Sequence, residues 1–208
     1  MDTAPSYVHG ASDIPLMGIT IGDLLARMAV THGSSEALLS RHQGLRYTYA
    51  ELNAAVDRVA RALMSLDLQP GDRAGIWAPN CAEWVLVQFA TARMGAILVN
   101  INPAYRAHEL EYSLKQSGVK LLVTAPRFRQ HDYRATLAGL LPELAASPGV
   151  MDLHAQALPE LRQIVCLGEE PGAGMMSWAG LLSCAEKVGD EALRERSAAL
   201  QFDDPINV

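Results

Sequence analysis

The sequence predicts an α/β fold: a mostly parallel, doubly wound sheet with flanking helices and a short N-terminal hairpin. Three observations predict it. Short apolar runs at residues 73–77, 96–100, 120–124 and 163–167 alternate with stretches of helical periodicity. Parallel strands read as near-continuous apolar runs because helices cover both faces of their sheet. The 208 residues are half hydrophobic and 19% charged, enough to bury a full core and too apolar for a disordered chain. No internal repeat or low-complexity tract interrupts the series.

Each element has its own local reason. Thr20, with Asp23 three residues on, resembles a capping box ahead of Leu24, Leu25 and Met28, so the first element is a helix. Residues 36–40 and 45–47 flank Arg41-His42-Gln43-Gly44, where Gly44 can take a left-handed turn conformation, so they pair as a hairpin. Thr48-Tyr49-Ala50-Glu51 is a full capping box. Leu52, Val56, Val59, Ala60, Leu63 and Leu66 then recur at helical spacing, and Pro70-Gly71 is expected to end that helix. After the strand at 73–77, Asn80 and Glu83 are expected to cap a second helix with almost no polar face, carrying Trp84, Val85, Val87, Phe89, Ala92 and Met94. A strand at 96–100, a helix at 107–116 closed by Gly118, and a strand at 120–124 complete a β-α-β-α-β run. Beyond it lie a helix at 133–144, a loop at 148–159, a strand at 163–167 and a helix at 177–187. Ile206, Asn207 and Val208 begin like one more strand, so the chain is expected to be cut there rather than to finish naturally.

Composition narrows the function. Seventeen Lys and Arg against 23 Asp and Glu leave a net charge of −6, without the basic footprint that phosphate-backbone binding relies on, so no nucleic-acid partner is expected. Cys81, Cys166 and Cys184 are too widely spaced for a disulfide framework or a zinc site, which fits a reducing, cytoplasmic location. No transmembrane segment is expected, because the apolar runs fall well short of the ~20 residues that span a bilayer.

The chemical motifs are sparse. The turn after the first sheet strand, Ala78-Pro79-Asn80, has no glycine to let backbone approach a pyrophosphate. The cluster of Gly168, Gly172 and Gly174 contains Glu169 and Glu170, which would repel phosphate, and reads as a flexible loop. His108-Glu109 lacks the second histidine of a zinc helix, Tyr112 standing in its place, and no metal site is expected. No serine has a neighbouring base, so no catalytic residue is assigned. Cys81 stands at a helix N-terminus, where a thiol pKa can fall, although an inert packed thiol is the favoured reading. Arg127, Arg129 and Arg134 follow the strand at 120–124, and ligands in open parallel sheets gather beyond the carboxyl ends of strands. Three solvated arginines at a helix start are the simpler alternative.

Several ordered motifs carry a family resemblance. They are Tyr47-Thr-Tyr-Ala-Glu-Leu52, then Gly71-Asp-Arg-Ala-Gly-Ile-Trp-Ala-Pro-Asn80, then Gly95-Ala-Ile-Leu-Val-Asn-Ile-Asn-Pro103 with Glu109-Leu-Glu-Tyr112 behind it. Together they resemble the N-terminal region of the adenylate-forming (AMP-binding) superfamily, and residues 81–112 most resemble fatty acyl-CoA synthetases of the medium-chain acyl-CoA ligase type. The resemblance runs from about Tyr7 to Val208. It implies the first subdomain of such an enzyme, truncated, with residues 1–50 as helix and hairpin and 51–208 as an α/β subdomain cut before the phosphate loop.

The resemblance further implies that the complete enzyme uses ATP and Mg to turn a fatty acid into an acyl-adenylate, and that coenzyme A then displaces AMP to form the thioester. Its Ser/Thr/Gly-rich phosphate loop ending in Lys would follow a segment like Asp204-Pro-Ile-Asn-Val208. These 208 residues are therefore expected to be inactive alone, to bind none of ATP, Mg or CoA strongly, and to need the missing C-terminal remainder as partner. Asn102, Pro103, Ala104 and Tyr105 match the loop that borders the CoA thiol in the family, and Arg127 and Arg129 are placed to meet CoA phosphates. Two other classes stay open. A carrier-protein-linked adenylation domain would share the fold and pass its acyl group to a carrier. A stand-alone α/β ligand-binding module would need a finished last strand and a glycine-rich or basic pocket.

Overall fold

The computed structural model describes residues 13–14, 16–146 and 153–208. Helix α1 (Ile21–Thr31) starts where the sequence places it, the Thr20 hydroxyl accepting from the Asp23 N–H at 3.0 Å. Strands β1 (Glu36–Ser40) and β2 (Leu45–Thr48) form an antiparallel hairpin whose turn has Gly44 at φ +66°. Helix α2 (Tyr49–Ser65) opens on the complete capping box of Thr48 and Glu51. It stops at Ser65, earlier than Pro70-Gly71 suggests, because Asp67 turns the chain through the left-handed region at φ +61°.

The main sheet is built from β3 (Arg73–Trp77), β4 (Ile97–Asn100), β5 (Val119–Thr124), β8 (Gln163–Cys166) and the short β9 (Met176–Ser177); its order is β4-β3-β5-β8-β9, every neighbouring pair parallel. Between these strands lie α3 (Ala82–Met94), α4 (Ala107–Ser117), the two-residue strands β6 (Arg127–Phe128) and β7 (His131–Asp132), and α5 (Tyr133–Leu140). Helices α6 (Trp178–Ser183) and α7 (Asp190–Ala198) follow β9. The chain steps from β3 outward to β4, then back across β3 to β5. Right-handed crossovers therefore put α3 and α4 on opposite faces of the sheet, which is the doubly wound arrangement. Helix α3 packs on α2 and α1, and α4 on α5.

Residues 206–208 do continue the sheet. The Leu98 N–H donates to the Ile206 carbonyl and the Val208 N–H to the Leu98 carbonyl, at 2.9 and 2.8 Å, laying the segment parallel along the outer side of β4.

The core is one continuous cluster under both helix layers, with Trp77, Ile76, Leu98, Leu121, Leu122, Tyr133 and Leu137 among its fully buried members. Helix α3 lacks a polar face because it is covered nearly all round. Its one buried cation, Arg93, is paired to Asp57 at 2.6 Å and to the Asn53 side-chain carbonyl at 2.7 Å, both on α2. Burial still holds the Asp57 carboxyl above its ordinary range, although Arg93 and Arg61 pull it down.

Three local expectations are corrected, and one further helix is added. Asn80 does not cap α3: Cys81 is the N-cap and makes no side-chain cap bond. The acceptor comes instead from the hairpin, where Gln43 Oε1 takes the Ala82 N–H at 2.7 Å while its Nε2 donates to Glu83 at 2.8 Å. The helix expected over 133–144 ends at Leu140, since Pro142 disfavours helical backbone at Leu141, and a 3-10 turn follows at Pro142–Ala145. The helix expected over 177–187 divides into α6 and a 3-10 turn at Cys184–Lys187. Helix α7 was not anticipated. Of the loop expected at 148–159, residues 148–152 lie outside the described residues; Leu153, Ala155 and Leu158 in the rest are buried.

Candidate functional site

The carboxyl ends of β3, β4 and β5 meet on one side of the sheet. The connections leaving β3 and β5 pass to opposite faces, which opens the kind of crevice where α/β sheets take ligands. The loops after β4 and β5 do not follow adjacent strands, as a simple order would have it; β3 stands between them. Trp77, its last residue, joins them.

The Trp77 indole lies flat against the Tyr133 ring, with centroids 3.5 Å apart and planes 9° from parallel. His131 sits edge-on to both, at 5.6 and 5.1 Å. The indole N–H donates to the Asn102 carbonyl at 3.2 Å, and the Tyr133 hydroxyl donates to the Pro103 carbonyl. Burial pushes the Tyr133 phenol up to about 12, against the pull of Arg106, so this hydroxyl keeps its proton across the physiological range. Burial, then Arg106, push the His131 imidazole below its usual value, with Asp132 opposing. The His131 Nε2 lies 2.7 Å from the Thr136 hydroxyl.

Within the loop, the Asn102 side-chain oxygen accepts from the Ala104 N–H at 2.9 Å and the Asn102 carbonyl also takes the Tyr105 N–H at 3.1 Å. Asn102 and Ala104 are exposed, while Pro103 and Tyr105 are half-buried. Tyr105 also lines an open groove of about 610 Å³ shared with Val99, His108, Tyr112 and Val208.

Arg127 and Arg129 ride on the β6–β7 hairpin, whose register sets Arg127 opposite Asp132 and Phe128 opposite His131. Both arginines are exposed, and Arg129 takes a left-handed backbone at φ 55° with its guanidinium 5.1 Å from the Phe128 ring centre. Among the described residues neither guanidinium has a hydrogen bond or ion pair, so both donor forks are available to an anion. Arg134 is not available in this way. It donates to the Glu170 carbonyl at 3.0 Å and lies 3.6 Å from Asp132. The hairpin thus brings two of the three arginines beside the loop's aromatic support and leaves the third as a structural tie.

Arg127 and Arg129 thus offer two guanidinium forks suited to an anion. Among the described residues no group of three His, Cys, Asp or Glu side chains is arranged to hold a metal ion. In the Gly168-to-Gly174 loop, a Cβ at Gly174 would lie 2.4 Å from the Leu144 carbonyl oxygen, so this glycine serves a close backbone approach. Cys81 is not activated: burial lifts its thiol to about 11.

Sequence reasoning missed Trp77, Tyr133, His131 and Arg106. A signal existed for two of them, since Trp77 ends the strand at 73–77 and Tyr133 opens the helix that follows the strand at 120–124, which puts both at the carboxyl edge.

The fold is an open, doubly wound parallel sheet whose loops after β4 and β5 meet over the end of β3. The chain belongs to the AMP-binding enzyme family, whose profile matches residues 25–164. It is 37% identical over 204 residues to the mitochondrial medium-chain acyl-CoA ligase ACSF2 of Bos taurus, covering 98% of this chain and 33% of that protein. The human ACSF2 ligase is 38% identical over 211 residues with the same coverage. Among solved structures, the acetoacetyl-CoA synthetase from Streptomyces lividans matches 80% of this chain and 25% of its own at 27% identity, with a TM-score of 0.65. The chain spans about a third of the length of the curated relatives it matches. Among the described residues no helix is long and apolar enough to cross a membrane.

Proposed function

We propose that these residues form the N-terminal, CoA-side wall of a fatty acyl-CoA ligase. The complete enzyme would activate a fatty acid with Mg-ATP as an acyl-adenylate and pass the acyl group to coenzyme A. The observation that carries this reading is the convergence, over the carboxyl end of β3, of loop 102–105 with a hairpin bearing two unpaired arginines. The rigid loop would border the thiol passage, and Arg127 and Arg129 would take CoA phosphates. The three cysteines are free thiols, which supports a reducing compartment such as the cytoplasm.

The test separates the two half-reactions. In the complete ligase, replacing Arg127 and Arg129 together by Ala should raise the KM for CoA several-fold and leave acyl-adenylate formation intact, because only the second half-reaction uses CoA. A double variant that loses adenylation and keeps its CoA affinity would overturn the assignment.

A further inference from the structure

Two large side chains at the sheet's carboxyl edge direct their only polar hydrogens at consecutive carbonyls of one loop. Trp77 and Tyr133 are both fully buried and stacked, and they come from β3 and α5, 56 positions apart. Their donors need partners once buried. Many acceptors could satisfy them. Here the partners are the carbonyls of Asn102, an exposed residue, and of half-buried Pro103. The loop is tied from beneath at two adjacent points, while its own Asn102 turn closes it from above through the Ala104 and Tyr105 N–H groups. Pro103 removes one backbone freedom between the two ties.

We propose that Trp77 and Tyr133 are positioning residues that hold loop 102–105 in the shape that borders the CoA thiol, an inference that rests on the function proposed above for that loop. The stack fixes where the two donors stand, and the two hydrogen bonds transmit that placement to the loop. His131, edge-on to both rings, braces the stack from the hairpin that carries Arg127 and Arg129, so loop and hairpin share one support.

Tyr133→Phe separates positioning from packing, since it keeps the ring and removes only the hydroxyl. Two measurements test it. In the complete ligase, amide hydrogen exchange at Ala104 and Tyr105 should quicken several-fold in Tyr133→Phe while exchange in β3 and β5 keeps its wild-type rate. In the complete ligase the same variant should raise the KM for CoA several-fold with pyrophosphate exchange unchanged. Trp77→Phe, which removes the indole donor, should act in the same direction on both.

Unchanged exchange at Ala104 and Tyr105 would overturn the tie, and faster exchange with an unaltered KM for CoA would overturn the positioning role. Failure of the underlying functional reading looks different. The Arg127 and Arg129 double variant would then leave the KM for CoA untouched, whereas failure of positioning alone silences only the Tyr133 and Trp77 variants.

Discussion

At Thr48 two donors and two acceptors satisfy each other within four residues. The Thr48 hydroxyl accepts from the Glu51 N–H at 3.3 Å, and the Glu51 carboxylate accepts from the Thr48 N–H at 2.8 Å, which holds that carboxyl below its usual range. Thr48→Ala should cost about 1 kcal/mol, read as a lower urea midpoint at unchanged slope; an unmoved midpoint would place the cap elsewhere. This interaction was legible in the sequence because every partner is local. Gly174 shows the opposite case. Its cluster reads as a flexible loop, yet its backbone stands at φ +69° and an added Cβ would lie 2.4 Å from the Leu144 carbonyl oxygen, 30 residues away in sequence. Gly174→Ala should destabilise by about 2 kcal/mol or more. Gly139, a helical glycine with open space at its Cβ, is the control, and Gly139→Ala should gain up to about 1 kcal/mol. Equal effects at the two positions in the same denaturation assay would contradict the close approach at Gly174.

Elements were legible where an apolar period marks them and illegible where distant polar groups do. Strands β3, β4, β5 and β8 and helices α1, α2 and α4 carry their own patterns. Helix α7 does not, since Leu193 is its only buried residue. It is held by an ion pair between Arg61 and Asp190 at 3.0 Å and by Arg196 donating to the Leu68 carbonyl at 2.7 Å. The start of α3 is similar: Asn80 looks like a cap in sequence, but the acceptor for the Ala82 N–H is Gln43, in the hairpin turn. Gln43→Ala should lower the thermal midpoint by the equivalent of about 1 kcal/mol, while Asn80→Ala should have a much smaller effect. A reversal of that order would return the cap to Asn80. The loop residues 102–105 were singled out in the sequence because they follow a strand; the aromatic pair beneath them was not, because a stack between β3 and α5 leaves no trace in local spacing.

Across the whole molecule the alternation of strands and helices revealed the architecture, but the spatial order, with β3 between β4 and β5, came only from the structure. His131, on the hairpin after β5, is held below its ordinary value, so stability is expected to depend on pH. The folded imidazole binds its proton less readily than the unfolded one, so stability should fall as pH drops below the ordinary histidine value of about 6.5 and through the lower folded value. Above that window the group adds no slope. His131→Gln should flatten the urea midpoint between about pH 7 and pH 5; a slope as steep as wild type would place the titration on another group.

The charge distribution leads to the last expectation. Adenylate formation needs positive charge arranged around the polyphosphate of ATP, and the chain has three lysines, Lys115, Lys120 and Lys187. Lys120 stands near the amino end of β5, away from the crevice, and is paired to Asp72 at 2.7 Å. Lys115 lies in the last turn of α4, and Lys187 ends the 3-10 turn after α6. None reaches the carboxyl edge where the loops converge, and the two free arginines there sit on the hairpin after β5, while the turn after β3 has no glycine for a phosphate. The 208 residues alone should therefore neither exchange pyrophosphate into ATP nor form acyl-CoA with octanoate as the acid. Radiolabelled pyrophosphate incorporation above a no-protein control would show that the polyphosphate site lies within these residues after all.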